Sequence, residues 1–248
     1  MYFSFKHLRE YTLITKNNHL AGNIDSILFD EGVFGVQYIV LSTDLWFEDR
    51  PLLLSPAALE EPDLKNWQIR IKHSDKTIKA GPDIESHASV SLQHKQELAK
   101  HYGWPLHWAG LANEIPGIMT PPNLPVEPMD SDDFKNQRNE DNFILRSSSE
   151  VEEYRVMIGD KHVGNVDDFI IEVPSWMIHF IVVREGHLKP QRRLVMSHYI
   201  EKIDFDTSTL TLKLLPNQFE EALKFKEETP ISEEQQKQIR IYWNENQV

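Results

Sequence analysis

The chain alternates apolar and polar residues in short runs over its first 80 residues and again after residue 150. The clearest alternation is Trp-Gln-Ile-Arg-Ile at residues 67–71, and residues 36–41 and 50–54 are rich in apolar side chains. Such runs are typical of strands, and the Asn17-Asn18 pair and residues 30–32 between them are typical of hairpin turns. The pattern predicts a small antiparallel sandwich or barrel.

The same pattern occurs twice along the chain. Residues 22–55 align without a gap on residues 164–197, at an offset of 164 − 22 = 142. Among the identical positions are a glycine, an aspartate and an arginine, and we call these residues the repeat signature: Gly22, Asp25, Arg50, Gly164, Asp167 and Arg192. A duplication of this kind predicts two units with the same strands. In the second copy these strands are expected at 154–158, 162–171, 177–183, 193–196 and 209–214.

The repeat also predicts the domain organisation. We expect domain 1 at residues 1–80 and domain 2 at 150–226, joined by a linker at 81–149 and followed by a helical tail at 227–248. Within the linker, Leu98, Ala99 and Tyr102 fall on one face of a helix expected at about 91–102, which Gly103 and Pro105 end. Residues 116–142 are rich in proline and aspartate, which predicts an extended acidic spacer.

The C-terminal tail is expected to form a helix from residue 233 to about residue 243, because Ser232 and Gln235 match a capping box. Its apolar side is thin and consists of Ile239, Tyr242 and Trp243. Two interpretations stay open. The helix either docks on the second domain or serves as a tail that binds a partner.

The repeated pattern resembles a known family. The pattern consists of a glycine and an aspartate in the first strand, a hairpin turn, a strand such as YIVL or FIVV, and then R-x-L-L-L-S. This pattern is similar to that of the PRC-barrel family. That family includes the cytoplasmic domain of the photosynthetic reaction-centre H subunit and the C-terminal domain of a maturation factor for 16S rRNA. Residues 89–93 and 101–108 resemble the linker of proteins with two such barrels in tandem.

This resemblance carries implications for fold and activity. It implies an all-β fold of two small antiparallel PRC-barrel-like domains in tandem, with a short linker helix and a C-terminal helix. It also implies no catalytic residues, because the family shares none. The chain departs from the family pattern at Val33-Phe34, at residues 172–174 and at His101, which are expected to affect turns and surface more than core.

Charge and composition exclude several classes of function. The 248 residues carry a net charge of −13, and no basic cluster occurs beyond residues 189–193, so direct binding to nucleic acid is not expected. There is no cysteine, which excludes disulfides and thiol nucleophiles. No stretch reaches 18 apolar residues, so we expect no membrane span, a cytoplasmic location and no photosynthetic role.

Candidate chemistry is sparse. His94 and His101 are seven residues apart, about 10 Å along a helix, which is too far for one metal ion. Asp25 and Asp167 recur at the same turn, so we interpret them as turn formers or as partners of Arg50 and Arg192 rather than as acid–base groups. The sequence has no nucleophile elbow and no glycine-rich phosphate loop. We therefore expect no catalytic residue, no metal site and no cofactor.

Three aromatic residues of the linker are the candidate binding residues: Tyr102, Trp104 and Trp108. Tryptophan and tyrosine are enriched at interaction hot spots. These rings either attach the linker to the first domain or form a surface for self-association or for a partner.

The sequence thus favours a non-enzymatic module for protein interaction or complex assembly, with an unknown protein partner and with homodimerisation or pseudo-symmetric packing of the repeats. One alternative is a ribosome-assembly accessory that acts through protein contacts. The other is a ligand-binding protein or enzyme with a site between the two domains.

Overall fold

The computed structural model describes residues 1–42, 52–82, 92–104, 145–186, 190–228 and 230–246. The spacer expected at 116–142 and the signature residue Arg50 lie outside these ranges, as does Trp108. The described part of the chain forms two β-sheets, one built mainly from each repeat.

The first half of the chain supplies most of the first sheet. The strands of this half of the chain are β1 (Tyr2–Ser4), β2 (Thr12–Ile14), β3 (Leu20–Asp30), β4 (Val36–Ser42), β5 (Leu52–Leu54) and β6 (Gln68–Arg70). Its helices are α1 (Phe5–Leu8), α2 (Asp75–Lys79) and α3 (Leu92–Tyr102).

The second half repeats this order of elements with one additional strand, Ile200–Asp204. Its strands are β7 (Leu145–Ser147), β8 (Arg155–Ile158), β9 (Lys161–Glu172), β10 (Met177–Glu185), β11 (Gln191–Met196), β12 (Ile200–Asp204) and β13 (Thr209–Leu212). Its helices are α4 (Ser148–Val151), α5 (Pro216–Glu221) and α6 (Glu233–Asn246).

The expectation of purely antiparallel, all-β domains is wrong, because both sheets are mixed. In the first sheet β2 pairs with β6 in parallel, and in the second sheet β8 pairs with β13 in parallel. Six α-helices are also present in the described residues. The alternation of side chains is the same in parallel and antiparallel strands, so it could not distinguish the two kinds of pairing.

The expectation of closed barrels is also wrong. The first sheet runs β5-β4-β3-β2-β6, and the second runs β11-β10-β9-β8-β13-β12. Over the described residues neither path returns to its starting strand, so the two sheets are open. Residues outside the strands form hydrogen bonds with the edge strand β11. For example, Leu194 N donates to Leu223 O (2.8 Å) beside β11.

Each sheet is completed by a strand from the other half of the chain. The N-terminal strand β1 pairs with β9 of the second sheet, with Tyr2 opposite Glu172. In the same way β7 pairs with β3 of the first sheet, with Leu145 opposite Asp30. The two registers are equivalent under the repeat, since Asp30 and Glu172 differ by 142 positions. The two repeats therefore exchange strands reciprocally.

The length of the central strands makes this exchange possible. Strand β3 has 11 residues and β9 has 12, so each has room for two partners on one edge. The first part of β9 pairs with β8, and the last part pairs with β1. A single hydrophobic core extends through both repeats and includes Phe29 and Phe169, whose ring centroids are 5.8 Å apart.

A second, smaller core lies between the second sheet and helix α6. Phe180, Val182 and Met196 of the sheet are buried there with Ile239 of the helix. Among the described residues, no helix is long and apolar enough to cross a membrane.

Candidate functional site

Equivalent residues of the two repeats meet at one point between the sheets. Gly35 and Met177, which differ by 142 positions, form an isolated antiparallel bridge. On either side of it, Val36 N donates to Trp176 O (2.9 Å) and Ile178 N donates to Phe34 O (2.8 Å). These two bonds are copies of each other under the repeat, so a local two-fold axis passes between Gly35 and Met177.

A second pair of equivalent residues meets in the same way. Arg9 and Glu152 follow the helices α1 and α4, and their positions differ by 152 − 9 = 143, because the first copy has one extra residue in its β2–β3 turn. The guanidinium Nη1 of Arg9 lies 3.7 Å from Oε1 of Glu152. We call the region around these two pairs the pseudo-dyad.

The signature glycines are required by a close approach of two strands. Gly22 has a φ of +122°, and a Cβ added there would lie 2.2 Å from the carbonyl oxygen of Ser42. Gly164 has a φ of +159°, and its added Cβ would lie 2.6 Å from the carbonyl oxygen of Arg184. The glycine recurs because both copies bend the long strand at the same contact.

The signature aspartate has different roles in the two copies. Asp167 is buried, and its carboxylate lies 3.0 Å from Lys6 Nζ, 3.1 Å from Arg184 Nε and 2.7 Å from Arg192 Nε. The sequence-based pairing of Asp167 with Arg192 is therefore present. The equivalent Asp25 is exposed.

Burial and ion pairing compete at Asp167. Burial acts to raise the pKa of this carboxyl, but hydrogen bonds from Arg192 and Lys6 outweigh it and hold the pKa below its ordinary value. Asp167 therefore stays ionised and joins the N-terminal segment to the second sheet.

The neighbouring carboxylate holds the N-terminal segment by hydrogen bonds. Asp168 is buried and accepts bonds from Ser4 Oγ and from the backbone nitrogen of Lys6 (3.0 Å). It also accepts a bond from its neighbour Phe169 N (2.8 Å). Burial raises the pKa of Asp168 to about 6 despite these donors. Asp167 and Asp168 therefore both use their carboxylate oxygens to hold the N-terminal segment on the second sheet.

The linker residues Tyr102 and Trp104 are buried and lie together. Their rings stack with centroids 4.3 Å apart, and Trp104 Nε1 donates to His73 Nε2 (3.2 Å). Next to them, His101 Nε2 lies 2.8 Å from the carbonyl oxygen of Thr77. These contacts hold the end of α3 against the residues around α2. In the described structure, the rings of Tyr102 and Trp104 pack within the chain.

Helix α6 is docked on the second sheet by aromatic and amide contacts. Trp243 stacks on His179 with ring centroids 4.0 Å apart, and Tyr242 stacks on Phe180 at 6.1 Å. Burial lowers the pKa of His179, although Glu172 beside it acts in the opposite direction. Burial thus favours the neutral imidazole, and its Nε2 lies 3.3 Å from Glu172 Oε2.

Sequence reasoning missed several residues of this region. Lys6 lies far from Asp167 in sequence, and Arg184 does not recur in the first copy, where Ser42 stands in its place, so neither residue carried a signal. Asp168 had a usable signal, because it aligns with Ser26 and falls on the same face of the strand as the apolar Val166 and Ile170. An acidic residue in that position indicates a buried partner.

The carboxylates of Asp167 and Asp168 join the N-terminal segment to the second sheet. The described residues contain no group of three or more His, Asp or Glu side chains placed to hold a metal ion.

No protein-family model matches the chain, and no curated protein is similar to it at a significant level.

Proposed function

We propose that the chain is a non-catalytic module for protein interaction or complex assembly. The observation that supports this proposal most is the use made of the repeated residues. Gly22 and Gly164 permit a strand contact, while Asp167 and Arg192 form part of an ion-pair network. Four of the five described signature residues thus build a scaffold, while Asp25 is exposed, and the two repeats present related surfaces in a fixed arrangement.

The similarity of the repeat pattern to the PRC-barrel family supports the same kind of role, since that family shares no catalytic residues. A cytoplasmic location and a protein partner belong to this proposal. The net charge of −13 is consistent with a protein partner rather than nucleic acid.

The partner surface can be sought among the exposed apolar residues. Large side chains that are at least about two fifths exposed are few in the described structure: Met1, Leu20, Val33, Leu64, Phe205, Leu215 and Ile241. Because exposed apolar side chains are preferred anchors for a partner, each of them is a candidate contact. The buried Tyr102 and Trp104 are less suitable for such a scan, because changing them disturbs internal packing.

The test is a native pull-down from the source organism, with and without nuclease, read by mass spectrometry. The bait is the native chain, and parallel baits carry serine at one exposed position each, such as Phe205→Ser or Leu215→Ser. Circular dichroism and the melting temperature of each bait check that it is folded.

The proposal predicts a protein that resists nuclease treatment and is lost from one or two folded variants. Ribosomal proteins that disappear with nuclease would favour the ribosome-assembly alternative. A pull-down without any partner, combined with strong thermal stabilisation by a metabolite, would contradict the proposal in favour of a ligand-binding protein or enzyme.

A further inference from the structure

The contacts at the pseudo-dyad pair unlike residues. In a symmetric dimer of identical units, a residue on the two-fold axis meets its own copy. Here Arg9 meets Glu152, and Gly35 meets Met177. Charge and size are therefore complementary at positions where two identical repeats would present two equal groups.

Pairing of a repeat with itself would lose this complementarity. Two copies of the first repeat would bring Arg9 against Arg9, and two copies of the second would bring Glu152 against Glu152. Arg9 and Glu152 are partly exposed, with 41% and 25% of their side chains accessible, so each pair has a modest effect. Like charges at such a distance nevertheless disfavour the wrong partner.

The sizes of the residues at positions 35 and 177 also favour the pairing of unlike repeats. A Cβ at position 35 would lie 3.4 Å from Met177 Sδ, so the thioether occupies the space left by the glycine. With methionine on both sides, two side chains would compete for that space. With glycine on both sides, the space would stay empty.

Other contacts between the repeats also have no equivalent on the opposite side of the pseudo-dyad. Arg146 on β7 donates from Nε to Glu31 Oε2 (2.6 Å). The position equivalent to Arg146 in the first copy is Phe3, which cannot form this bond. Lys6 pairs with Asp167, whereas the residue equivalent to Lys6 is Ser149.

We infer that the two repeats form a heterotypic pair, so that a repeat released from its own partner accepts the complementary repeat of a second copy of this chain and not an identical repeat. Two chains that exchange repeats keep Arg9 against Glu152 at both pseudo-dyads. Forty residues separate Trp104 from Leu145 in the sequence, so the two repeats of one chain have a high effective concentration for each other. Pairing within one chain therefore competes with exchange between chains. The pairing is independent of any other protein that the module binds.

The first experiment cuts the folded chain in its linker. Residues 121–126 are replaced by the recognition sequence of a site-specific protease, and the cut protein is analysed by native mass spectrometry. The inference predicts one-to-one complexes of the N-terminal and C-terminal pieces. Homodimers of either piece, or separated pieces, would overturn it.

The second experiment tests the role of a second copy. Cut protein labelled with a heavy isotope is mixed with an equal amount of unlabelled cut protein at the midpoint of urea unfolding, and the urea is then removed. Half of the recovered one-to-one complexes should contain one labelled and one unlabelled piece. Recovered complexes without mixed label would overturn the exchange between chains.

Charge variants test the pseudo-dyad itself. Arg9→Glu should weaken association of the cut pieces about fivefold, because an attraction becomes a repulsion. The double variant Arg9→Glu with Glu152→Arg should restore the native affinity. Arg155→Glu, an equal charge change at an exposed position, is the control. A double variant no better than Arg9→Glu alone would contradict the role of this pair.

Discussion

The side-chain amide of Gln236 pairs with the backbone of Tyr2 as a neighbouring strand would. Gln236 Oε1 accepts a bond from Tyr2 N (2.9 Å), and Gln236 Nε2 donates to Tyr2 O (2.5 Å). The exchanged strand β1 therefore lies between β9 on one edge and a glutamine of helix α6 on the other. The C-terminal helix thereby protects an edge that would otherwise be open.

Removing this amide should destabilise the second sheet. Gln236→Met leaves the buried amide and carbonyl of Tyr2 without their partners, and the free energy of unfolding should fall by about 2 kcal/mol. The exposed residue Gln238 provides the control, and Gln238→Met should change it by less than about 0.5 kcal/mol. Urea unfolding measures both values, and equal values for the two variants would contradict this role of Gln236.

The repeat provides its own control for the buried aspartate. Asp167→Asn removes the charge that Lys6, Arg184 and Arg192 share, so unfolding should become easier by about 3 kcal/mol. Asp25→Asn, the equivalent change at an exposed residue, should have almost no effect. Denaturant melts compare the two variants. Similar losses in both would mean that the network around Asp167 does not stabilise the fold.

Substitution of the signature glycines should be costly in both copies. Gly22→Ala and Gly164→Ala each place a Cβ within 2.6 Å or less of a carbonyl oxygen, and each should lower the stability by more than about 2 kcal/mol. Gly159 is the control, because it has a φ of +56° and no atom near its added Cβ. Gly159→Ala should cost about 1 kcal/mol for its backbone conformation alone. Thermal unfolding that ranks Gly159→Ala as the most damaging would refute the close-approach explanation.

Asp168 should make the stability depend on pH. Its pKa is raised from 3.8 to about 6 in the folded chain, so the folded state binds this proton more tightly than the unfolded state does. Its contribution to stability is complete below pH 3.8 and is lost as the pH rises through about 6. Asp168→Asn keeps a neutral side chain at every pH, so the variant should gain stability relative to the native chain between pH 4 and pH 7.

The difference between the two proteins is the quantity to measure, because four histidines act with the opposite sign. Burial lowers the pKa of each, so their contribution is lost as the pH falls below their ordinary value of 6.5: His7, His73, His179 and His198. Asp160→Asn, at an exposed position, is the control. Stability curves for Asp168→Asn and the native chain that run parallel from pH 4 to pH 7 would contradict the assignment.

The long strands were predicted by alternation and by the repeat, whereas β1, β7 and β12 were not. The strand expected at 162–171 is present as Lys161–Glu172, and the one expected at 177–183 is present as Met177–Glu185. The helix expected from 233 to about 243 runs from Glu233 to Asn246. These elements are predictable because their signals lie within the residues that form them.

The pairing of the strands was beyond the sequence pattern. Strand β1 has three residues, which is too short for a periodic signal, and its partner β9 begins more than 150 residues later. The choice between parallel and antiparallel pairing of β2 with β6 depends on how the chain returns to the sheet, which side-chain alternation does not encode. The burial of Tyr102 and Trp104 likewise depends on distant residues such as His73.

Calorimetry can test the reciprocal exchange of β1 and β7 between the repeats. If β1 and β7 join the two repeats into one cooperative unit, the native chain should unfold in a single transition, with equal calorimetric and van't Hoff enthalpies. Two separate transitions, one for each repeat, would contradict the joining of the repeats by these strands.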